Sequence, residues 1–272
     1  MKKILMLLAA LPLMAQAAAE RVIPLGGDVT EIAWALGAGN SLVARDTTST
    51  WPAEVVKLPN VGYVRQLNAE GILSLRPTLV LASAQVQPSQ VLDRLGENHV
   101  KVVTVPGDYN LASIDKKVDV IASALGKKTQ GDVLRKKLAG EIAALPKQPL
   151  NKRVLFILSH GGMGSMVAGQ QTTADGAIRA AGLTNAMQGF DHYRALSQEG
   201  VIASKPDLVV ISADGVKSMG GEANLWTLPG LADTPAGRNK QVQIIDDIAL
   251  LGFSVRTPQA LHDLRSKAES LP

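Results

Sequence analysis

Glu70-Gly71-Ile72-Leu73-Ser74-Leu75-Arg76-Pro77-Thr78-Leu79-Val80 and Glu199-Gly200-Val201-Ile202-Ala203-Ser204-Lys205-Pro206-Asp207-Leu208-Val209 are two copies of one pattern, set far apart in a chain of 272 residues. Each opens with Glu-Gly, passes through a short apolar stretch, meets a basic residue before Pro, and enters an apolar run. Proline cannot continue a helix, and the residue before it is pushed out of the helical region. A continuous apolar run behind such a stop has the pattern of a strand buried on both faces. The pattern therefore reads helix, stop, buried strand, twice over, and predicts two lobes of related fold. A weaker echo pairs Ala35-Leu36-Gly37 with Ala180-Ala181-Gly182, each ending a short helix on the glycine that such an end favours.

Working outward, Val22 to Leu25 is an apolar run, and Asp28 is the expected N-cap of a helix through Leu36. Leu42 to Ala44 then has the character of a further strand. A helix from about Asn68 to Leu75, a strand over Leu79 to Ala82, a helix near Ser89 to Glu97 and a strand over Val100 to Val105 complete the first half. Strands alternating with helices predict an α/β fold of two Rossmann-like lobes, each a mostly parallel sheet flanked by helices, with a ligand cleft between them. The expected boundaries are 20–110 for the N-terminal lobe, 111–148 for linking helices and 149–272 for the C-terminal lobe. In the link, Ile114, Val118, Ile121, Leu125, Val133, Leu134, Leu138 and Ile142 recur at helical spacing. Gly126 interrupts them, leaving a second helix from about Thr129 to Leu145 that would span ~25 Å. A long helix joining two lobes is a stiff strut, so little hinge closure is expected.

The first 19 residues have a different purpose. Lys2 and Lys3 precede an apolar stretch from Ile4 to Met14, and Ala15, Ala17 and Ala19 offer small residues for cleavage after Ala17 or Ala19. This is the pattern of a signal peptide over 1–19, too short to cross a ~30 Å bilayer. The chain contains no cysteine, which excludes a disulfide framework and an anchor on a lipidated cysteine. An exported, unanchored protein of this kind is expected in a periplasm. The formal charge of +4 includes Lys2 and Lys3, and no basic tract has the character of a nucleic-acid surface. The pairs Lys116-Lys117, Lys127-Lys128 and Lys136-Lys137 are spaced like the solvated faces of helices.

Two stretches carry a closer likeness: Gly62-Tyr63-Val64-Arg65-Gln66-Leu67-Asn68-Ala69-Glu70-Gly71-Ile72-Leu73-Ser74 and Ser159-His160-Gly161-Gly162-Met163. With them the chain resembles the helix-linked periplasmic binding proteins of siderophore, cobalamin and haem importers, and within that class the haem-binding members of the HmuT and ShuT type. The resemblance implies a non-enzymatic protein that binds one or two haems per chain. It would hand them to an inner-membrane ABC permease dimer with its ATPase, downstream of an outer-membrane receptor pathway.

A tyrosine phenolate suits the hard ferric ion, and only Tyr63, Tyr109 and Tyr193 exist to supply one. Tyr63 follows Gly62 in a polar loop, and Arg65, two residues on, would share its side of an extended segment. There it would favour the phenolate or pair with a propionate. On spacing alone, an ordinary half-buried tyrosine beside a surface arginine is the commoner reading of such a pair. His160 falls just past the apolar run Val154 to Leu158, at a strand's carboxyl end, where open sheets present ligand-binding residues; a hydrogen-bonded loop histidine fits there too. The resemblance makes Tyr63 and His160 the iron ligands, on one haem or on two. Met163 and Met166 are candidates for a porphyrin face or for core filling, and Arg256 is a candidate for a propionate. Glu70 and Glu199 suit a first helical turn through the macrodipole. The resemblance adds that one acidic residue on each lobe docks to the permease.

Two other readings compete. Cobalamin or a ferric siderophore would also use Tyr63 and Arg65. An exported hydrolase-like enzyme could use His160-Gly161-Gly162 as an oxyanion loop, but no G-x-S-x-G elbow occurs anywhere.

Overall fold

A computed structural model of the protein describes residues 20–108, 110–159 and 164–272. The N-terminal lobe runs β1 (Val22–Leu25), α1 (Gly27–Ala35), α2 (Ala69–Ser74), β2 (Leu79–Ser83), α3 (Gln90–Glu97) and β3 (Lys101–Val105). Two helices follow, α4 (Ala112–Ala124) and α5 (Lys128–Ala143). The C-terminal lobe begins with β4 (Arg153–Leu158), β5 (Met166–Ala168), α6 (Thr173–Ala180), β6 (Thr184–Asn185), β7 (Tyr193–Ala195) and α7 (Gln198–Ser204). It continues with β8 (Leu208–Ser212), α8 (Ala213–Ser218), α9 (Glu222–Leu225), α10 (Pro235–Arg238), β9 (Val242–Ile245), α11 (Asp247–Leu251) and α12 (Thr257–Glu269).

The first sheet is parallel, in the order β1-β2-β3. The second has the order β7-β5-β4-β8-β9, with β6 also paired to β4. Its pairs β4-β8, β8-β9 and β4-β6 are parallel, whereas β5 and β7 add antiparallel strands at one side. The repeated segments end in β2 and β8, the central strands of the two parallel triplets, and every residue of both is buried. The likeness extends to atoms. Asn68 caps α2 and Ser197 caps α7 through their side chains. Arg76 and Lys205, the residues before the prolines, adopt the left-handed conformation with φ of 49° and 44°. Arg21 sends its guanidinium to the carbonyls of Leu75 and Arg76, while Arg153 sends its own to that of Ser204. The side chains of Thr78 and Asp207, one residue past each proline, accept from the backbone N–H of those same arginines. Each lobe thus ties the start of its first strand to the stop before its central one. The weaker echo holds as well: Gly37 and Gly182 have φ of 74° and 71°.

Several local expectations are corrected. Gly26 caps α1, and Asp28 lies inside its first turn, because the Asp28 carboxylate is drawn to a buried lysine. Leu42 to Ala44 is no strand; Leu42 makes a single bridge to Val22. The link, by contrast, is the pair of helices expected from its sequence: Gly126, with φ of 65°, separates them and turns α5 back onto α4. Gly131 sits where an added Cβ would lie 2.5 Å from that of Ala122, which sets how closely the two helices approach. Val133 points outward, 67% exposed. Among the described residues no helix is long and apolar enough to cross a membrane.

Lys117 is the largest departure. Far from solvated, it is 3% exposed, and its Nζ donates to Asp28 Oδ2 of α1 and to the Gly252 carbonyl, both at 2.6 Å. One ammonium therefore joins the N-terminal lobe, the linking pair and the C-terminal lobe. Around it a single apolar core runs through all three parts, with Val29 and Ile32 of α1, Ile114 and Val118 of α4, Phe156 of β4, and Phe253 and Leu261 near the C-terminus in one cluster. Each lobe also has a cluster of its own on its far side. Substituting Lys117 by Met strands the Asp28 carboxylate in a dry site, and breaking such a pair costs about 3–5 kcal/mol. Urea unfolding of Lys117→Met is expected to show that loss, and Lys117→Met/Asp28→Leu is expected to recover much of it. A single cooperative transition is expected in both variants, because the lobes share a core.

Candidate functional site

The carboxyl ends of the parallel strands carry the loops in which an open α/β sheet presents its ligand groups. On the N-terminal lobe the loop from Asn60 to Leu67 is pinned on both flanks. Gly62, with φ of 106°, donates to Asn60 Oδ1 and accepts from Thr47 N–H at 2.9 Å. The Val64 carbonyl accepts from Gln87 N–H, and Leu67 N–H donates to the Gln87 carbonyl. Val64 and Leu67 face the core, but Tyr63 between the anchors is 42% exposed. An exposed aromatic on a loop fixed at both ends is preorganised to meet a ligand without further ordering.

Arg65 departs from the expected extended geometry. Gln66 N–H closes a turn on the Tyr63 carbonyl at 2.7 Å, and Arg65 Nη2 reaches Gln85 Oε1 at 3.0 Å. Arg65 is exposed on the turn beside Tyr63 and donates to the loop that follows β2.

The neighbouring loop is held by Asp46, a residue that nothing in the sequence singled out. Its buried carboxylate accepts from the N–H groups of Gly26 and Thr48 at 2.7 Å each and from the hydroxyls of Thr48 and Ser49. Because Thr47 N–H holds Gly62, the Asp46 cluster also fixes the Tyr63 loop against the end of β1.

On the C-terminal lobe β4 ends at Leu158, followed by buried Ser159, whose hydroxyl meets that of Ser218 at 3.3 Å. His160 and Met163 lie outside the described residues. The chain resumes at Gly164 and returns as β5, where Met166 is partly buried and pairs with Leu158 and Ala195. Glu70 and Glu199 are both exposed in first helical turns, one on each lobe; neither belongs to the Tyr63 loop.

Arg256 is not free for a propionate. Its Nε and Nη2 donate to Glu31 Oε1 of α1, and Nη1 and Nη2 donate to Asp246 at 2.9 and 3.2 Å. The guanidinium also lies 5.2 Å from the centre of the Trp51 ring. Ser254 donates to the second Glu31 oxygen. Arg256 is therefore a second tie across the seam between the lobes. Burial pushes the Glu31 carboxyl above the usual range, against the hydrogen bonds from Arg256 and Ser254. At Asp246 burial acts upward as well, but bonds from Arg256 and the Ala249 N–H bring it below that range. Burial lowers and the two carboxylates raise Arg256, which ends above its ordinary value.

These directions fix a sign. A raised carboxyl binds its proton more tightly folded than unfolded, so its contribution to stability falls as pH rises through the window above the ordinary carboxylate range. Removing the Arg256 cation leaves Glu31 buried without its partner and extends that window upward. Arg256→Met is expected to cost more stability at pH 8 than at pH 5, where Glu31 can protonate. Thermal melts of wild type and variant at both pH values read the difference, and an equal loss at both would show that Glu31 is not the group left stranded.

Comparison with known proteins adds to this geometry. A family model described as periplasmic binding protein matches residues 22–249. The periplasmic heme-binding protein RhuT of Roseiflexus sp. RS-1, solved without ligand, is 40% identical with a TM-score of 0.88, over 92% of this chain and 97% of that one. The periplasmic heme-binding protein BhuT, solved with two hemes, is 41% identical with a TM-score of 0.84, again over 92% and 97%. HutB of Vibrio cholerae, also a periplasmic heme-binding protein, is 34% identical with a TM-score of 0.82, over 92% and 98%. Among curated proteins, the substrate-binding lipoprotein YvrC of Bacillus subtilis is 25% identical over 93% of this chain and 80% of its own. A vitamin B12-binding protein of Yersinia pseudotuberculosis is 39% identical, but over 47% of this chain and 42% of its own.

Proposed function

We propose that this chain, which belongs to the periplasmic binding protein family, captures haem in the periplasm and delivers it to an inner-membrane ABC importer. It is a binding protein and not an enzyme, as are its family and structural neighbours. The observation that carries the haem reading is Tyr63: a half-exposed phenol on a loop pinned at both ends, in a chain about two-fifths identical over nearly its whole length to heme-binding proteins. Tyr63 would supply the anionic oxygen that ferric iron prefers. Arg65 stands on the same turn, near enough in sequence to favour the phenolate or meet a propionate once it leaves Gln85. His160, which follows β4 in sequence, would be the ligand from the second lobe, with Met163 and Met166 against the porphyrin. Since BhuT has been seen with two hemes, a stoichiometry of one or two is part of this reading. Absence of a cysteine supports a free rather than lipid-anchored periplasmic form, supplied by an outer-membrane receptor pathway.

Hemin titration followed by absorbance tests the site. Tyr63→Ala is expected to lose most of the affinity, whereas Tyr193→Phe, whose ring packs on the shared core, is expected to change little. Equal losses at both would defeat the assignment. Because the partial match to a vitamin B12-binding protein favours a second reading, cyanocobalamin is titrated alongside. Tighter binding of cobalamin than of hemin would replace haem as the cargo.

Delivery is tested separately. Glu70 and Glu199 are exposed on separate lobes that share one apolar core, which suits a partner with two-fold symmetry. Mispaired charges at an interface cost several kcal/mol. Glu70→Lys/Glu199→Lys is therefore expected to abolish haem-stimulated ATP hydrolysis by the reconstituted importer while leaving hemin binding intact, with partial loss in each single variant. Full stimulation by the double variant would leave these residues as helix-start glutamates and nothing more.

A further inference from the structure

The two lobes match at Glu70 and Glu199 but not in the cavities beside them. Next to α2 lies an open cavity of about 520 Å³, lined in part by Glu70 itself and by Arg94 of α3, so that it holds one charge of each sign. Next to α7 lies one of about 470 Å³, lined by Arg153, Arg194, Met187 and Phe190 and bounded by Ser197 and Gly200, the residues that bracket Glu199. No carboxylate lines this second cavity. Arg153 is committed to its carbonyls, as its counterpart Arg21 is in the other lobe. Arg194 is not: it is exposed on β7, its guanidinium lies 4.5 Å from the centre of the Phe190 ring, and among the described residues it makes no ion pair.

We infer that the cavity beside α7 is a socket for an acidic side chain of the permease, with Arg194 as its cationic wall. The argument is one of charge and preparation. A guanidinium held over an aromatic ring gives up little freedom on binding, and its fork fits a carboxylate in two bonds. Met187 and Phe190 would exclude water around that pair, which strengthens it. Since Glu199 stands at the rim, the partner would present a positive group to Glu199 and a negative one to Arg194, and crossed charges of this kind fix register more than they add affinity. The N-terminal lobe differs, because the cavity that Arg94 lines is lined by a carboxylate, Glu70, as well. The docking surface is thus alike in its two glutamates and unlike in its sockets, so that of the two equivalent acidic groups a two-fold partner would offer, the one beside Glu199 would meet an unpaired cation.

This inference rests on the docking role proposed for the glutamates, and the test separates the two. Haem-loaded full-length protein is bound to the detergent-solubilised permease–ATPase complex, and affinity is measured by biolayer interferometry at two salt concentrations. Arg194→Glu is expected to weaken the complex roughly tenfold or more, with unchanged hemin titration and a shallower salt dependence. Arg194→Lys should recover part of the loss, since the charge returns without the fork, and Arg94→Ala should stay within about twofold of wild type. Wild-type affinity in Arg194→Glu, an equal loss in Arg94→Ala, or a loss of hemin binding in Arg194→Glu would each overturn the socket. If Glu199→Lys weakens the complex and Arg194→Glu does not, the docking role stands and the socket falls; if neither weakens it, both fall.

Discussion

The buried ammonium of Lys117 is the constraint on which the rest of the molecule depends. A charge with 3% exposure is stable only if its donors are taken, and its acceptors come from α1 in one lobe and from Gly252 in the other. The lobes are thereby fixed with respect to α4 and to each other. Arg256 repeats the device nearer the strand ends, with Glu31 from one lobe and Asp246 from the other. Between these ties a common apolar core leaves no plane along which the halves could part without exposing Phe156, Ile32 or Leu261. Buried charge pairs add little net stability against an apolar substitute. What they add here is registry, because an ammonium with two short bonds tolerates one arrangement of its acceptors.

A body held in this way favours presentation of a ligand group over closure around it. Tyr63 owes its position to the backbone bonds of Gly62, Val64 and Leu67, and through Thr47 to the Asp46 cluster at the end of β1. The same ties set the separation of Glu70 and Glu199, which stand on separate lobes.

Much of this was legible in the sequence. The paired Glu-Gly to Pro segments foretold two related lobes and their central strands, because a proline stop before an apolar run leaves little freedom of interpretation. The family likeness pointed to Tyr63, which the structure leaves exposed on an anchored loop. Arg65 and Arg256 were legible only as residues with suitable chemistry. Their partners, Gln85 in one case and Glu31 with Asp246 in the other, are distant in sequence and follow from tertiary packing alone. Lys117 had a signal that charge obscured: it lies three residues after Ile114 and four before Ile121, on the face that those residues bury, so its helical phase contradicted its apparent solvation. Asp46, in a polar loop with Thr48 and Ser49, gave no periodic cue; the donors it satisfies become neighbours only when β1 and the loop meet.

The two halves agree most closely where the fold is specified. Arg21 and Arg153, Arg76 and Lys205, Gly37 and Gly182 hold matched positions because each lobe must solve the same problem of starting a strand beside a stopped helix. Their departures lie elsewhere. The C-terminal lobe alone carries the antiparallel strands β5 and β7, and these bring Phe190 and Arg194 beside α7. The N-terminal lobe alone carries an exposed tyrosine on a doubly pinned loop. The added strands on one side and the anchored loop on the other make the two lobes unlike at their surfaces while their strand starts remain matched.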